Sequence, residues 1–161
     1  MSNETKHKAI PRLRFPEFRD AGEWEVKRIK DIAEEILDGD WIESKHQSNS
    51  GVRLIQTGNI GIGKFIPKKN SERFVSTETF YALKCKEVFP GDCLVSRLPE
   101  PAGRSIIVPD IGQRMITAVD CTIIRFNATD ILPYVLNMLT DRTLFLYDKL
   151  NQFWFNAQKD K

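Results

Sequence analysis

The sequence predicts a mixed α/β domain. Three observations carry that prediction: short apolar runs rich in β-branched residues and punctuated by Gly, Pro and Asn; a helical period near residues 24–36; and its return from residue 130. At 161 residues the chain suits one compact domain with a real core and is short for two of ordinary size.

Residues 1–22 read as an extended arm, because Pro11 and Pro16 interrupt any helix and push the residues before them toward extended backbone. Trp24, Val26, Ile29, Ile32, Ala33 and Ile36 then recur at near-helical spacing, with Lys27, Arg28, Lys30 and Glu34 opposite, until Asp38-Gly39-Asp40 ends the run. A short amphipathic helix is expected there. The polar stretch ESKHQSNSG before Val52 suits a surface loop. Strands are expected over 52–56, 63–66, 87–89, 93–96, 105–108 and 117–126. Between them STETFYAL, with a serine or threonine followed by Glu78, reads as a brief capped helix over 76–83. From Asp130 the spacing of Leu132, Leu136 and Leu139, then Leu146, Leu150 and Phe153 or Trp154, is helical again, with room for a break near 140–143. Thr129 or Asp130 can cap that segment, and Pro133 is tolerated in a first turn. The domain division that follows is an arm over 1–22, a core over 23–130 and a C-terminal helical segment over 131–161.

The net charge of +2 does not by itself announce a nucleic-acid partner. Its distribution is more informative, with cations gathered at Lys6, Lys8, Arg12 and Arg14, at Lys27, Arg28 and Lys30, at Lys64, Lys68 and Lys69, and at Arg97 and Arg104. Cys85, Cys93 and Cys121 are odd in number and form no C-x-x-C, and the histidines are His7 and His46, which is not metal-site arithmetic. Unpaired thiols in apolar runs fit a reduced cytoplasmic interior, and no stretch has the length or apolarity of a signal core or a membrane span.

Two segments draw attention, GVRLIQTGNIGIGKFIP from Gly51 and GDCLVSRLPEPAGRSIIVP from Gly91. Each joins an apolar strand to a loop bearing amides and cations. The run from Gly58 to Lys64 fits G-x-x-x-x-G-K, yet Phe65-Ile66-Pro67 follows where a phosphate-binding loop needs Ser or Thr and the start of a helix. The match is coincidental, and the glycines belong to a tight turn. No nucleophile stands beside a base: His46 is remote in sequence from Cys85, Cys93 and Ser96, and the carboxylate pairs sit at helix-face, cap or surface positions. What remains are donor-rich loop residues. Gln and Asn address adenine, Arg addresses guanine, and Lys with Ser or Thr holds phosphate. Composition alone would leave these as ordinary strand-end side chains.

The order of the segments adds to that reading. PRLRFPEFRDAGEWEVKRIKDI (11–32), GDWIESKHQSNSGVRLIQTGNIGIGKF (39–65) with its I-x-x-x-N-I turn, VFPGDCLVSRLPEPAGRSIIV (88–108) with G-D-x-L-x-S-R, and TIIRF (122–126) together resemble the first target-recognition domain of type I restriction-modification specificity subunits. The resemblance covers nearly the whole chain through individually loose motifs. It implies a twisted, partly barrel-like mixed sheet with flanking helices, and a DNA-reading module without catalysis of its own. Partner subunits would supply the chemistry: methyltransferase subunits that bind S-adenosylmethionine and methylate adenine, and a motor-nuclease subunit that translocates and cuts. No cofactor is expected on this chain, nor a membrane partner. With the donor-rich loops, a DNA-facing surface is expected of Lys45, His46, Gln56, Thr57, Asn59 and Lys64 on one side and Ser96, Arg97 and Arg104 on the other, with Arg97 the foremost candidate for a base or phosphate contact.

Specificity subunits of this family usually hold two such domains separated by long helices. The present sequence holds about one, and a natural or deliberate fragment is expected in preference to a dimerising half-subunit, which would retain its spacer helix. The rival expectation is a protein-interaction module that docks on, or competes for, a methyltransferase subunit through Phe153, Trp154 and Phe155. A standalone enzyme would need His46 or Cys93 in turnover and is disfavoured.

Overall fold

The computed structural model describes residues 15–20, 22–23, 28–99 and 102–127. The arm up to residue 14 and the C-terminal segment with its aromatic residues lie outside the described residues. The chain divides into two compact units, Met1–Ile32 and Ala33–Lys161. In the first, Pro16 opens a single 3-10 turn, Pro16–Phe18, where its missing N–H costs nothing. Among the described residues of this unit the α-helix is α1, Ile29–Ile32, and Arg28 grips Asp31 through two hydrogen bonds of 2.7 and 3.0 Å.

The helix expected over 24–36 therefore stops at Ile32, and Glu35–Asp38 is a strand, β1. The reason is tertiary. A run this short gains little from helix formation in water, whereas in strand form it pairs antiparallel with β9 (Cys121–Arg125), Glu35 opposite Arg125 and Asp38 opposite Thr122.

The described residues of the second unit form two sheets. One has the order β1-β9-β6-β7, all antiparallel, with β6 at Cys93–Ser96 and β7 at Ser105–Ile107. The other has the order β2-β4-β3-β8-β5, comprising Gln47–Ser48, Arg73–Val75, Val52–Ile55, Met115–Thr117 and Glu87–Val88. Within it β3 and β8 run parallel. The mixed α/β class predicted from sequence thus holds, with the strands divided between two sheets.

Side-chain alternation explains how the layers stack. From the five-stranded sheet, Ile55, Val88 and Met115 join Leu94, Ile106, Cys121 and Ile123 of the other sheet in one apolar cluster between them. The intervening residues Val52, Leu54, Val75 and Ile116 point the opposite way and meet Phe80 and Cys85. Phe80 belongs to α2, Thr77–Ala82; the sequence predicts a helix capped by serine or threonine here, and the N-cap is Ser76, whose hydroxyl accepts from the Thr79 N–H at 3.1 Å. Covered on both faces and paired along both edges, β3 is buried at every position, Arg53 included.

The strand expected over 117–126 is two strands in different sheets, β8 and β9, separated by a turn in which the Cys121 N–H donates to the Ala118 carbonyl at 3.0 Å. Beside that turn the chain leaves β1. A Cβ on Gly39 would lie 2.1 Å from the Ala118 oxygen, so only glycine lets the two backbones approach. Next to it Asp40 bridges to Ala118 and receives the Lys86 backbone N–H and ammonium at 2.7 and 2.6 Å, fixing the entry to β5. The expected strand over 63–66 reduces to an isolated bridge between Ile60 and Phe65. Among the described residues, no helix is long and apolar enough to cross a membrane.

Candidate nucleic-acid interface

The first loop begins where β3 ends. Thr57–Asn59 forms a 3-10 turn, and the Gly61 N–H donates to the Lys64 carbonyl at 2.9 Å, folding the chain back so that the Ile66 N–H reaches Asn59 O at 2.9 Å. No helix follows Lys64, as expected for a turn and not for a phosphate-binding loop. The second loop is the β6–β7 connection, closed by hydrogen bonds of 2.8 Å from Ser96 N–H to Arg104 O and from Gly103 N–H to Ser96 O. Gly63 N–H donates to Ser105 O at 3.1 Å, so the two loops meet. Lys64 and Arg104 are thereby carried on neighbouring backbone.

Two of the candidate contact residues are interior. Asn59 is 4% exposed: its Oδ1 accepts from the Gln56 N–H at 2.9 Å and its Nδ2 donates to Ile66 O at 2.8 Å. Its amide closes the turn, so although Asn59 lies on the floor of the polar depression beside it, the side chain is committed within the fold, which corrects its expected role as a contact residue. Ser96 is also corrected: it is fully buried opposite Cys121 in the β6–β9 ladder.

The other candidates are at or near the surface with differing commitments. Lys45 pairs with Glu43 at 3.1 Å, which holds the Glu43 carboxyl below the ordinary glutamate range. His46 Nδ1 accepts from the Glu43 N–H at 3.2 Å, closing their shared 3-10 turn, Ser44–His46. Arg97 donates to Asp38 Oδ1 at 3.0 Å and to the carbonyl of Val119, so its guanidinium is held against its own sheet. Arg104 is half-buried, Lys64 is exposed, and Gln56 and Thr57 line a polar depression.

That depression has two lobes. One, of about 420 Å³, is lined by Gln47, Ser48, Asn49, Gln56, Glu72 and Arg73. The other, of about 260 Å³, is bounded by Gln56, Thr57, Gly58, Lys68, Ser71 and Arg73. Gln56 and Arg73 line both. Beneath lies buried Arg53, which donates to Arg73 O at 3.0 Å and Pro67 O at 3.1 Å and faces Glu72 at 3.8 Å, pinning the 64–73 segment to β3. Gln47, Ser48, Asn49 and Arg73 do not stand out in the sequence as partners for DNA; the cation density of KFIPKKNSER is the signal that points to their neighbourhood.

Charge is partitioned unevenly. Lys86 pairs with Asp40, Arg97 with Asp38, Arg114 with Glu87, and Arg125 with Asp92 and Glu35. Lys64, Lys68, Lys69 and Arg73 have no ion pair among the described residues, and Glu72, the acid within their segment, faces Arg53. The outcome is an exposed segment with uncompensated positive charge, of which Lys68 and Arg73 line the depression, suited to phosphate.

The thiols are not placed for chemistry. Cys93 and Cys121 are fully buried, and burial pushes the Cys93 thiol up to about 12 and raises that of Cys121. Thiols held protonated in this way are poor nucleophiles.

No family model matches the sequence, and no curated protein matches it. Solved structures do match by fold. The crystal structure of the HsdS subunit from Thermoanaerobacter tengcongensis aligns over 84% of this chain with a TM-score of 0.50 and 18% identity. This chain has the fold of part of an HsdS subunit. A chain from a structural study of complex assembly and conformational transition in the type I R-M system aligns over 72%, with the same TM-score and identity. The match spans 31% of the HsdS chain and 27% of the chain from the type I R-M study, under a third of each.

Proposed function

We propose that this chain is a sequence-specific duplex-DNA recognition module of a type I restriction-modification specificity subunit, with residues 23–130 as its core. The observation that carries the reading is the placing of Lys68 and Arg73, without ion pairs among the described residues, on the walls of a depression lined by amides and hydroxyls, with Lys64 and Lys69 on the same exposed segment. Cations hold the phosphates and set register, while amides and guanidinium groups address base edges. The HsdS-like fold supports the type I assignment. In this reading the surface comprises Gln56, Thr57, Lys64 and Arg104 with the cations of the 64–73 segment, flanked by Lys45 and His46. Arg97 joins it on release from Asp38.

The chain itself does no chemistry in this account. It directs methyltransferase subunits, which carry S-adenosylmethionine and modify adenine, and through the same complex a motor-nuclease subunit. Selection from a pool of random duplexes, with the chain alone and with methyltransferase subunits added, tests the reading. Enrichment of one short sequence is expected. A pool that stays random in both arms would refute sequence-specific recognition.

A further inference from the structure

We infer that the larger lobe of the depression is a base-reading groove in which the side-chain amides of Gln47 and Asn49 address adenine edges of duplex DNA, one edge to each amide, while Arg73 and Lys68 hold the backbone beside it. The inference rests on the DNA-recognition reading above and assigns residues within it.

Groove chemistry narrows the ligand class. Pockets for small organic molecules are predominantly apolar, with few polar groups. This groove is lined by Gln47, Ser48, Asn49, Gln56, Glu72 and Arg73, with no apolar side chain among them. Its occupant must offer hydrogen-bond partners along its length.

Not all amides in the neighbourhood are alike. Asn59 spends both ends of its amide inside the fold. Gln47 and Asn49 make no side-chain hydrogen bond among the described residues, although both line the groove, whereas Ser48 is turned to the Ser50 carbonyl at 2.7 Å. Such an amide presents a donor and an acceptor side by side. A phosphate could use only the donor. An adenine edge in the major groove offers N7 as acceptor and N6–H as donor, and so uses both.

Position supports the same division of labour. Gln47 lies on β2, the edge strand of its sheet, and Asn49 follows directly, so a duplex can approach without disrupting the ladder. Arg73 lines both lobes, and Lys68 borders the smaller one. Neither cation is ion-paired among the described residues, which leaves them for phosphate on the flank of the amide groove.

The test uses the 161-residue chain, with methyltransferase subunits added in a parallel arm, and a duplex obtained by selection from a random pool. Affinities for that duplex and for its single-pair variants are compared across wild type, Gln47→Ala with Asn49→Ala, and Lys68→Ala with Arg73→Ala. The amide pair is expected to erase discrimination at A·T pairs, roughly tenfold to hundredfold, while leaving the salt dependence unchanged. The cation pair is expected to weaken binding to all duplexes alike and to flatten the salt dependence by about 1.8 in log–log slope. If wild type discriminates and the amide variant discriminates equally well, the groove assignment is wrong and DNA recognition stands. If wild type selects no sequence in either arm, the recognition reading fails and the groove assignment with it. Circular dichroism of each variant separates a defect in binding from a defect in folding.

Discussion

The Lys68 ammonium lies over Gly58, its Nζ 2.5 Å from the point a Cβ on that glycine would occupy. Lys68 reaches this position from a left-handed backbone, φ +51°, that non-glycine residues adopt rarely. Held there, the cation borders the smaller lobe of the polar depression.

Gly58→Ala should therefore act on binding far more than on folding. The added methyl meets the far end of a flexible side chain, which can swing away at little cost to stability. Duplex affinity should fall by up to the equivalent of one phosphate contact, with a salt dependence shallower by about 0.9 in log–log slope. Unchanged binding and slope would show that the Lys68 position is immaterial to DNA.

Gly39→Ala has the opposite signature. Its methyl would meet the Ala118 carbonyl oxygen and Thr117 carbonyl oxygen, at 2.1 and 2.8 Å, both backbone atoms that cannot rotate aside. Overpacking of this kind costs about 1–3 kcal/mol, and a lowered urea midpoint is expected. A midpoint equal to wild type would contradict the close approach of β1 to the β8–β9 turn.

Cys93 and Cys121 should resist alkylation in the native state near pH 8 and react on unfolding in urea. Both are fully buried, and the Cys93 thiol is pushed up to about 12 from an ordinary 9.0. Because the folded state keeps this proton longer than the unfolded chain, its contribution is complete below 9.0 and is lost as pH rises toward 12. Stability should accordingly decline with alkalinity across that window. Labelling of native Cys93 by mass spectrometry would count against the packing between the sheets.

Acid should loosen the molecule partly through Glu87. Hydrogen bonds from Arg114, at 2.9 and 2.6 Å, hold its carboxyl below the ordinary glutamate value. A lowered pKa contributes stability that is present above the unfolded value and is lost as pH falls through the folded one. Glu87→Gln should therefore make stability less dependent on pH on the acid side, as measured by thermal midpoints from neutral pH downward. An acid limb identical to wild type would remove Glu87 from the account. Arg114 also stacks 4.5 Å from the Phe80 ring centroid, so its own removal would confound the effect.

Local sequence signals located β3, β6, β7 and the Ser76-capped helix because their apolar runs are bounded by turn residues. They misassigned Ile36, whose spacing from Ile29 and Ile32 is compatible with a helix; pairing with β9, eighty-odd residues away, decided otherwise. Thr117 and Cys121 read as one strand because nothing local says that the chain changes sheets between them. At the candidate site, Asn59 and Gln47 are indistinguishable by residue chemistry. Only the fold reveals that one amide closes a turn and the other lines a groove. Arg73 sits in a three-residue strand too short to detect by alternation.

Whether the 64–73 segment holds DNA by its phosphates is read from the salt dependence of duplex binding. Wild type is compared with the variant carrying Lys64→Ala, Lys68→Ala, Lys69→Ala and Arg73→Ala, in the presence of methyltransferase subunits. The expected result is a steep fall of affinity with salt for wild type and a log–log slope shallower by about 3–4 for the variant, near 0.9 for each phosphate no longer neutralised. Equal slopes for a folded variant and wild type would contradict phosphate contact by this segment.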